Sequence, residues 1–243
     1  MTSTHSAGSA EEGGAKAGNM RSLSRALEVF AELQRAERPQ RLSDLARTCG
    51  MSLPTTLRIL RVLQDFGMVS QTDKSYRIGP AVLPAARSYL ENDPLVVASR
   101  PVLQQVASQT GLTASLYTRL GFERILVARV DGEAPLRYDL PLGKRLPLTV
   151  GAAGKILLAS ASAEELRARL PEAGTDFSFS ADERATGVLS VAVAVPNRSG
   201  RPSESIALTS PVETATEPAL KAAVPELRRA AGRLSELLEG SVY

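Results

Sequence analysis

The chain has 243 residues, 43% of them hydrophobic, with no Trp, one Cys, one His and a net charge of +3. A lone cysteine (Cys49) excludes an internal disulfide framework, and a lone histidine (His5) with it excludes a Cys/His metal set. The length fits one large domain or two modest ones.

Charge is distributed unevenly. Residues 19–79 hold ten Lys/Arg against six Asp/Glu, while residues 1–18 hold one Lys and two Glu, so the rest of the chain is balanced. The whole positive excess therefore lies in the first folded segment, where a polyanion would be engaged. The N-terminus lacks the apolar stretch of a signal peptide, and the longest apolar run, around Val191–Pro196, is too short to cross a bilayer. The expected location is cytoplasmic, with no membrane contact.

Residues 1–18, rich in Ser, Gly, Ala and Glu, read as a flexible tail. From Ser22, a candidate N-cap, Leu23, Leu27, Phe30 and Leu33 recur at helical spacing. Arg38-Pro39-Gln40 breaks that helix. Ser43 then reads as the cap of a short helix with Leu45 and Ala46 inward, ending at Gly50. A third helix opens at Pro54 and ends near Phe66-Gly67, with Leu60, Leu63 and Phe66 available to a core. Two short strands, Met68–Gln71 and Ser75–Ile78, flank Thr72-Asp73-Lys74 as a hairpin with a polar tip. Gly79-Pro80 closes the unit, and residues 81–91 fit a linker helix delayed or bent by Pro84.

The second unit begins near Asp93-Pro94 with a helix over residues 94–110. Strand-like runs follow at Thr113–Arg119, Arg124–Val130 and Leu136–Leu140, then helices over Gly151–Ala159 and Glu164–Leu170. Val188–Val195 and Ser205–Thr209 read as strands around a turn at Asn197–Gly200. A last helix spans about Glu217–Leu238, kinked by Pro225. Strands and helices mix without strict alternation, so the class is α+β.

Two helices joined by a tight turn and followed by a two-stranded wing form a winged helix-turn-helix. That motif lays the N-terminal end of its second helix in a DNA major groove. The outward stripe is Ser52, Pro54, Thr55, Leu57, Arg58 and Arg61, with Lys74 and Arg77 on the wing. Arg58 and Arg61 suit guanine edges. Ser52 and Thr55 suit phosphates, Pro54 and Leu57 suit thymine methyls, and Lys74 and Arg77 suit the backbone or minor groove. The competing reading is a helical hairpin with a solvated Arg face that contacts protein. Cys49, beside the turn glycine, reads as a small buried hydrophobe.

In the second unit, Gly151-Ala152-Ala153-Gly154-Lys155 opens a helix with small residues, where free N–H groups and the helix dipole suit a carboxylate. The alternative is that small residues let the helix lie close to a sheet. Ile156 stands where a P-loop needs Ser or Thr, so this is not a nucleotide loop. The neighbouring acids Glu164-Glu165 and Asp182-Glu183 diverge around a helix and read as solvated surface. No catalytic residue, metal site or cofactor is expected.

The ordered set of motifs resembles the IclR family of bacterial transcriptional regulators. It comprises Ser22–Leu27, Leu45-Ala46 with Gly50, Thr55 with Arg58, Gly67-Met68-Val69, Tyr76–Gly79, Arg100–Leu103, Gly143–Leu148 with Gly154–Ala159, and Ser190–Val195. The resemblance covers residues 20–240 and implies a winged helix-turn-helix domain (19–79), a linker helix (80–92) and a GAF-like effector-binding and oligomerisation domain (93–243). It also implies a homodimer or homotetramer acting as repressor or activator at a palindromic double-stranded DNA operator, with a small acidic or aromatic metabolite as effector. With the residue reading, it makes Leu116, Tyr117, Thr149, Gly151, Ala152 and Ser190 the effector-site candidates. The sequence departs from the family at Leu53, Pro54, Thr56 and Leu57, at Ser190 where Cys is frequent, and in a short stretch between Leu170 and Gly187. The alternative function is a DNA-binding oligomerisation module whose second domain senses no ligand.

Overall fold

The computed structural model describes residues 9–133, 140–159, 176–200 and 202–240, with side chains from Met20 onward. The chain divides into two compact units, residues 1–87 and 88–243, and the boundary falls inside a helix, Leu83–Asn92.

The first unit runs α1 (Ser9–Arg35), β1 (Gln40–Arg41), α2 (Leu42–Thr48), α3 (Leu53–Asp65), β2 (Val69–Thr72) and β3 (Ser75–Ile78). A 3-10 turn, Pro80–Val82, then leads into α4 (Leu83–Asn92). The three strands order β1-β3-β2, all antiparallel, so the wing is a small sheet rather than a lone hairpin. A two-stranded hairpin is marginal by itself, and the third strand supplies the pairing it lacks. Val29, Leu33, Leu45, Leu60, Val69 and Tyr76 form the core.

Three sequence expectations change here. Ser22 lies inside α1 and does not cap it, because the helix already begins at Ser9, within the expected tail. Leu23 and Leu27 are exposed, and Val29 takes the buried position, so the apolar face is narrower and sits nearer the C-terminal end. Ser43 lies within α2, whose N-cap is Arg41 without a side-chain cap bond.

The second unit runs α5 (Pro94–Thr110), β4 (Thr113–Leu120), β5 (Glu123–Val130), β6 (Arg145–Pro147), α6 (Ala152–Ala159), β7 (Ser178–Ala181), β8 (Val188–Ala194), β9 (Glu204–Pro211), α7 (Glu217–Ala222) and α8 (Val224–Gly240). Asp93 caps α5, accepting from the N–H groups of Leu95 and Val96. The expected final helix is two helices, because Ala223 ends α7 and Pro225 occupies the first turn of α8, where its missing N–H costs nothing. The expected strand Leu136–Leu140 and helix Glu164–Leu170 fall almost wholly outside the described residues.

The six strands form one antiparallel sheet in the order β6-β5-β4-β9-β8-β7. One face packs on α5 and α8 through Leu103, Val106, Leu116, Val191, Val193, Ile206, Leu208, Leu227 and Leu234. The other carries α6 through Tyr117, Leu126, Leu148, Ile156, Leu157, Ala192 and Ala207. Strand side chains alternate between faces, so each strand contributes to both layers. This is the α+β arrangement expected from the sequence: a helix-turn-helix domain followed by a curled sheet flanked by helices.

Candidate DNA-reading surface and effector seat

In the first unit the turn between α2 and α3 is fixed by backbone bonds. Met51 N–H donates to Ala46 O at 2.8 Å, and Gly50 takes a left-handed φ of +61° that a side chain would oppose. Ser52 caps α3: its Oγ accepts from Thr55 N–H at 3.4 Å and lies 2.9 Å from Thr55 Oγ1. Thr56, fully buried, donates its hydroxyl back to Ser52 O at 3.1 Å. The start of α3 is thus held from three sides before anything binds it.

The periodicity of α3 then decides what faces solvent. Thr56 and Leu60 are buried, with Ile59 and Leu63 packed against the core. Leu53, Pro54, Arg58, Arg61 and Val62 are exposed, and Lys74 and Arg77 are exposed on the wing. Leu57 and Thr55 are half-buried at the edges of that face. Among the described residues no carboxylate pairs with Arg58, Arg61, Lys74 or Arg77. Phe66 is 73% exposed, contrary to its expected place in the core, because α3 has ended at Asp65 and the chain turns there. Cys49 is half-buried, and burial, with the carboxylates of Glu32 and Glu28 added, pushes its thiol pKa up.

In the second unit the expected effector residues separate. Leu116 is on the α5–α8 face and Tyr117 on the α6 face, so the sheet does not bring them together. Thr149 is exposed, three residues before the buried start of α6. Tyr117, Gly151, Ala152 and Ser190 do share the α6 face, and all four are buried. A row of hydroxyls crosses that face on four adjacent strands: Ser180 pairs with Ser190, Ser190 with Thr209, and Thr209 with Thr113. All four are 5% exposed or less.

The N–H groups at the start of α6 are already engaged. Gly151 N–H donates to Glu183 Oε2 at 2.8 Å, and Ala152 N–H to Ser180 Oγ at 3.1 Å. Lys155 Nζ ion-pairs with Glu183 Oε1. Arg184 donates to the Tyr117 hydroxyl at 3.0 Å, and the fully buried guanidinium of Arg124 lies 5.3 Å from the Tyr117 ring centre and donates to Pro147 O. Glu183 is exposed, as expected of a surface acid, but it is also paired. Its partners stand about thirty positions away, and no local signal marks them.

A cleft of about 600 Å³ takes in the Thr113 and Thr209 end of the row and is lined also by Thr110, Glu133 and Glu213, among others, with no Lys or Arg. Its chemistry disfavours an anion. Among the described residues no group of three or more metal-ligating side chains gathers, and no helix is long and apolar enough to cross a membrane.

Comparison with known proteins places both units. Residues 22–73 match the family model "IclR helix-turn-helix domain", and residues 87–177 match "Bacterial transcriptional regulator IclR C-terminal". Together the two matches cover more than half of the chain. The HTH-type transcriptional repressor AllR of Escherichia coli is 29% identical over 154 residues, which are 63% of this chain and 57% of that repressor. The chain thus matches little more than half the length of that relative. Among solved structures, an IclR transcriptional regulator from Alicyclobacillus acidocaldarius is similar with a TM-score of 0.74 and 23% identity, over 89% of this chain and 98% of that one. An IclR homologue from Microbacterium hydrocarbonoxydans, complexed with 4-hydroxybenzoate, has a TM-score of 0.66 and 19% identity over 90% and 100%. At these identities the structural likeness concerns the fold.

Proposed function

The chain belongs to the IclR family of bacterial transcriptional regulators, and we propose that it is a homo-oligomeric regulator that reads a palindromic operator with α3 and answers to a small carboxylate. The observation that carries the DNA reading is the exposed face of α3, with Pro54, Arg58 and Arg61 pointing away from a core built on Thr56 and Leu60. Arg58 and Arg61 take guanine edges. Pro54 and Leu57 meet thymine methyls, and Thr55 and Ser52 lie close to phosphates. Lys74 and Arg77 follow the backbone beside the reading helix. With few polar side chains on this face, phosphates and DNA shape supply much of the affinity.

The effector reading rests on the start of α6. Gly151 N–H, Ala152 N–H and Lys155 Nζ converge there, beside Ser180, Ser190 and Tyr117 on the same sheet face. A small, acidic or aromatic metabolite suits this set, and the relative that holds 4-hydroxybenzoate supports that class. A second reading, an oligomerising DNA-binding protein that senses nothing, is favoured by one observation: Glu183 already uses the Gly151 and Lys155 donors.

Selection of duplexes from a random DNA pool with the full-length protein, repeated across salt concentrations, tests the DNA reading. The expected product is an inverted repeat bound specifically at physiological salt. Salt-sensitive binding without sequence preference would remove α3 as a reader.

A further inference from the structure

We infer that Glu183 is an internal competitor for the effector, a carboxylate carried by the chain itself into the seat that a carboxylate ligand must take. This rests on the effector reading above and specifies how that same site is controlled.

A carboxylate of the chain itself already occupies the seat. The two oxygens of Glu183 take different donors, Oε2 from Gly151 N–H at 2.8 Å and Oε1 from Lys155 Nζ. This is the two-point recognition that a free carboxylate would need. The segment bearing Glu183, residues 182–187 between β7 and β8, is fastened at other points. Gly187 N–H donates to Asp182 Oδ1 at 2.6 Å, and Asp182 holds a left-handed φ of +57°. Arg184 anchors the segment to Tyr117 OH and lies directly over Gly151, where a Cβ would stand 3.0 Å from its Cδ. The strap thus lies across the start of α6, with its acid at the surface on the Gly151 and Lys155 donors.

An incoming carboxylate meets the same donors and must displace Glu183. Displacement releases Lys155 from its partner and lifts the Glu183 end of the strap off Gly151. Ligand binding is thereby converted into movement of the β7–β8 connection. The apparent affinity falls by the fraction of molecules in which the strap is open.

The test uses the full-length protein and propionate, which carries the carboxylate that a Glu183→Ala substitution removes. Thermal unfolding is followed against propionate, with sodium chloride at equal ionic strength as the control. The inference expects E183A to be stabilised by propionate with a half-saturating concentration about tenfold or more below that of the unsubstituted protein. An equal response of the two proteins, or a response no greater than that to chloride, overturns it. If E183A does not fold, Glu183→Gln keeps the shape, loses the charge that pairs with Lys155, and is judged by the same comparison. Binding to the selected duplex is measured in parallel. Selective propionate binding with unchanged DNA affinity leaves the competitor in place and removes the effector reading of the site. Absence of selective binding removes the competitor and leaves the DNA reading untouched.

Discussion

A methyl group placed on Gly79 would come within 2.2 Å of the carbonyl oxygen of Gly67, and the Gly79 N–H donates to Met68 O at 2.8 Å. The end of α3 and the end of the wing are thus pinned together by backbone, with no room for a side chain. Gly79→Ala is expected to cost about 3 kcal/mol and to abolish specific DNA binding, because relieving the clash moves the wing relative to α3. Gly50→Ala meets nothing within 4 Å and carries only left-handed strain, about 1 kcal/mol. Denaturant unfolding of the two variants should separate them clearly. Equal losses would mean that the Gly67–Gly79 approach does not set the wing.

Arg58→Ala and Arg61→Ala should each weaken binding to the selected duplex by about 1–3 kcal/mol and relax preference at one base pair per half-site. Neither side chain has a carboxylate partner among the described residues, so unfolding midpoints should stay within experimental scatter. Lys74→Ala and Arg77→Ala should instead reduce affinity evenly across sequences and make the salt dependence shallower. Titration of each variant against the selected duplex and a scrambled one distinguishes the two patterns.

Ser52 is already the cap of α3, and its hydroxyl serves Thr55. Ser52→Ala is therefore expected to cost about 1 kcal/mol of stability, with any loss of DNA binding following from a frayed helix start. Ser52→Asp restores the cap and should recover the stability while repelling phosphate. Recovery of stability without recovery of binding would place Ser52 close to the DNA.

The Cys49 thiol is pushed up by burial and by the Glu32 and Glu28 carboxylates. Its folded pKa is above the unfolded value, so the contribution is fully present at neutral pH and is lost as pH climbs past 9 and through the raised value. Alkylation by iodoacetamide at pH 8 should lag that of a free cysteine. Alkaline destabilisation should be smaller in Cys49→Ala than in the unsubstituted chain. Rapid labelling at pH 8 would contradict the burial.

Much of this architecture is legible in the chain because its signals are local. Gly50, Pro54, Asp73 and Gly79 mark turns through backbone chemistry alone, and the spacing of Thr56, Leu60 and Leu63 orients α3. Asp93-Pro94 likewise marks the start of α5. Other expectations failed because the deciding partner is remote. Leu116 and Tyr117 are adjacent, and only the helices packed on each side reveal which face matters. The β7 strand, Ser-Phe-Ser-Ala, carries weak strand character by itself and is held by pairing with β8. Glu183 looks like any exposed acid until the fold brings Gly151 and Lys155 to it.

The hydroxyl row from Thr113 to Ser180 crosses four strands. Leu116, Val191 and Leu208, on three of the strands that contribute to it, lie on the opposite side. Ladder bonds come from the backbone and are indifferent to either set. All four are buried, and Ser180 and Thr113 accept the N–H groups of Ala152 and Gly132, so a substitution along the row must replace a hydrogen bond as well as fit the space. The row therefore ties the sheet to the start of α6 through hydroxyls, as the opposite face is tied to α5 and α8 through aliphatic packing.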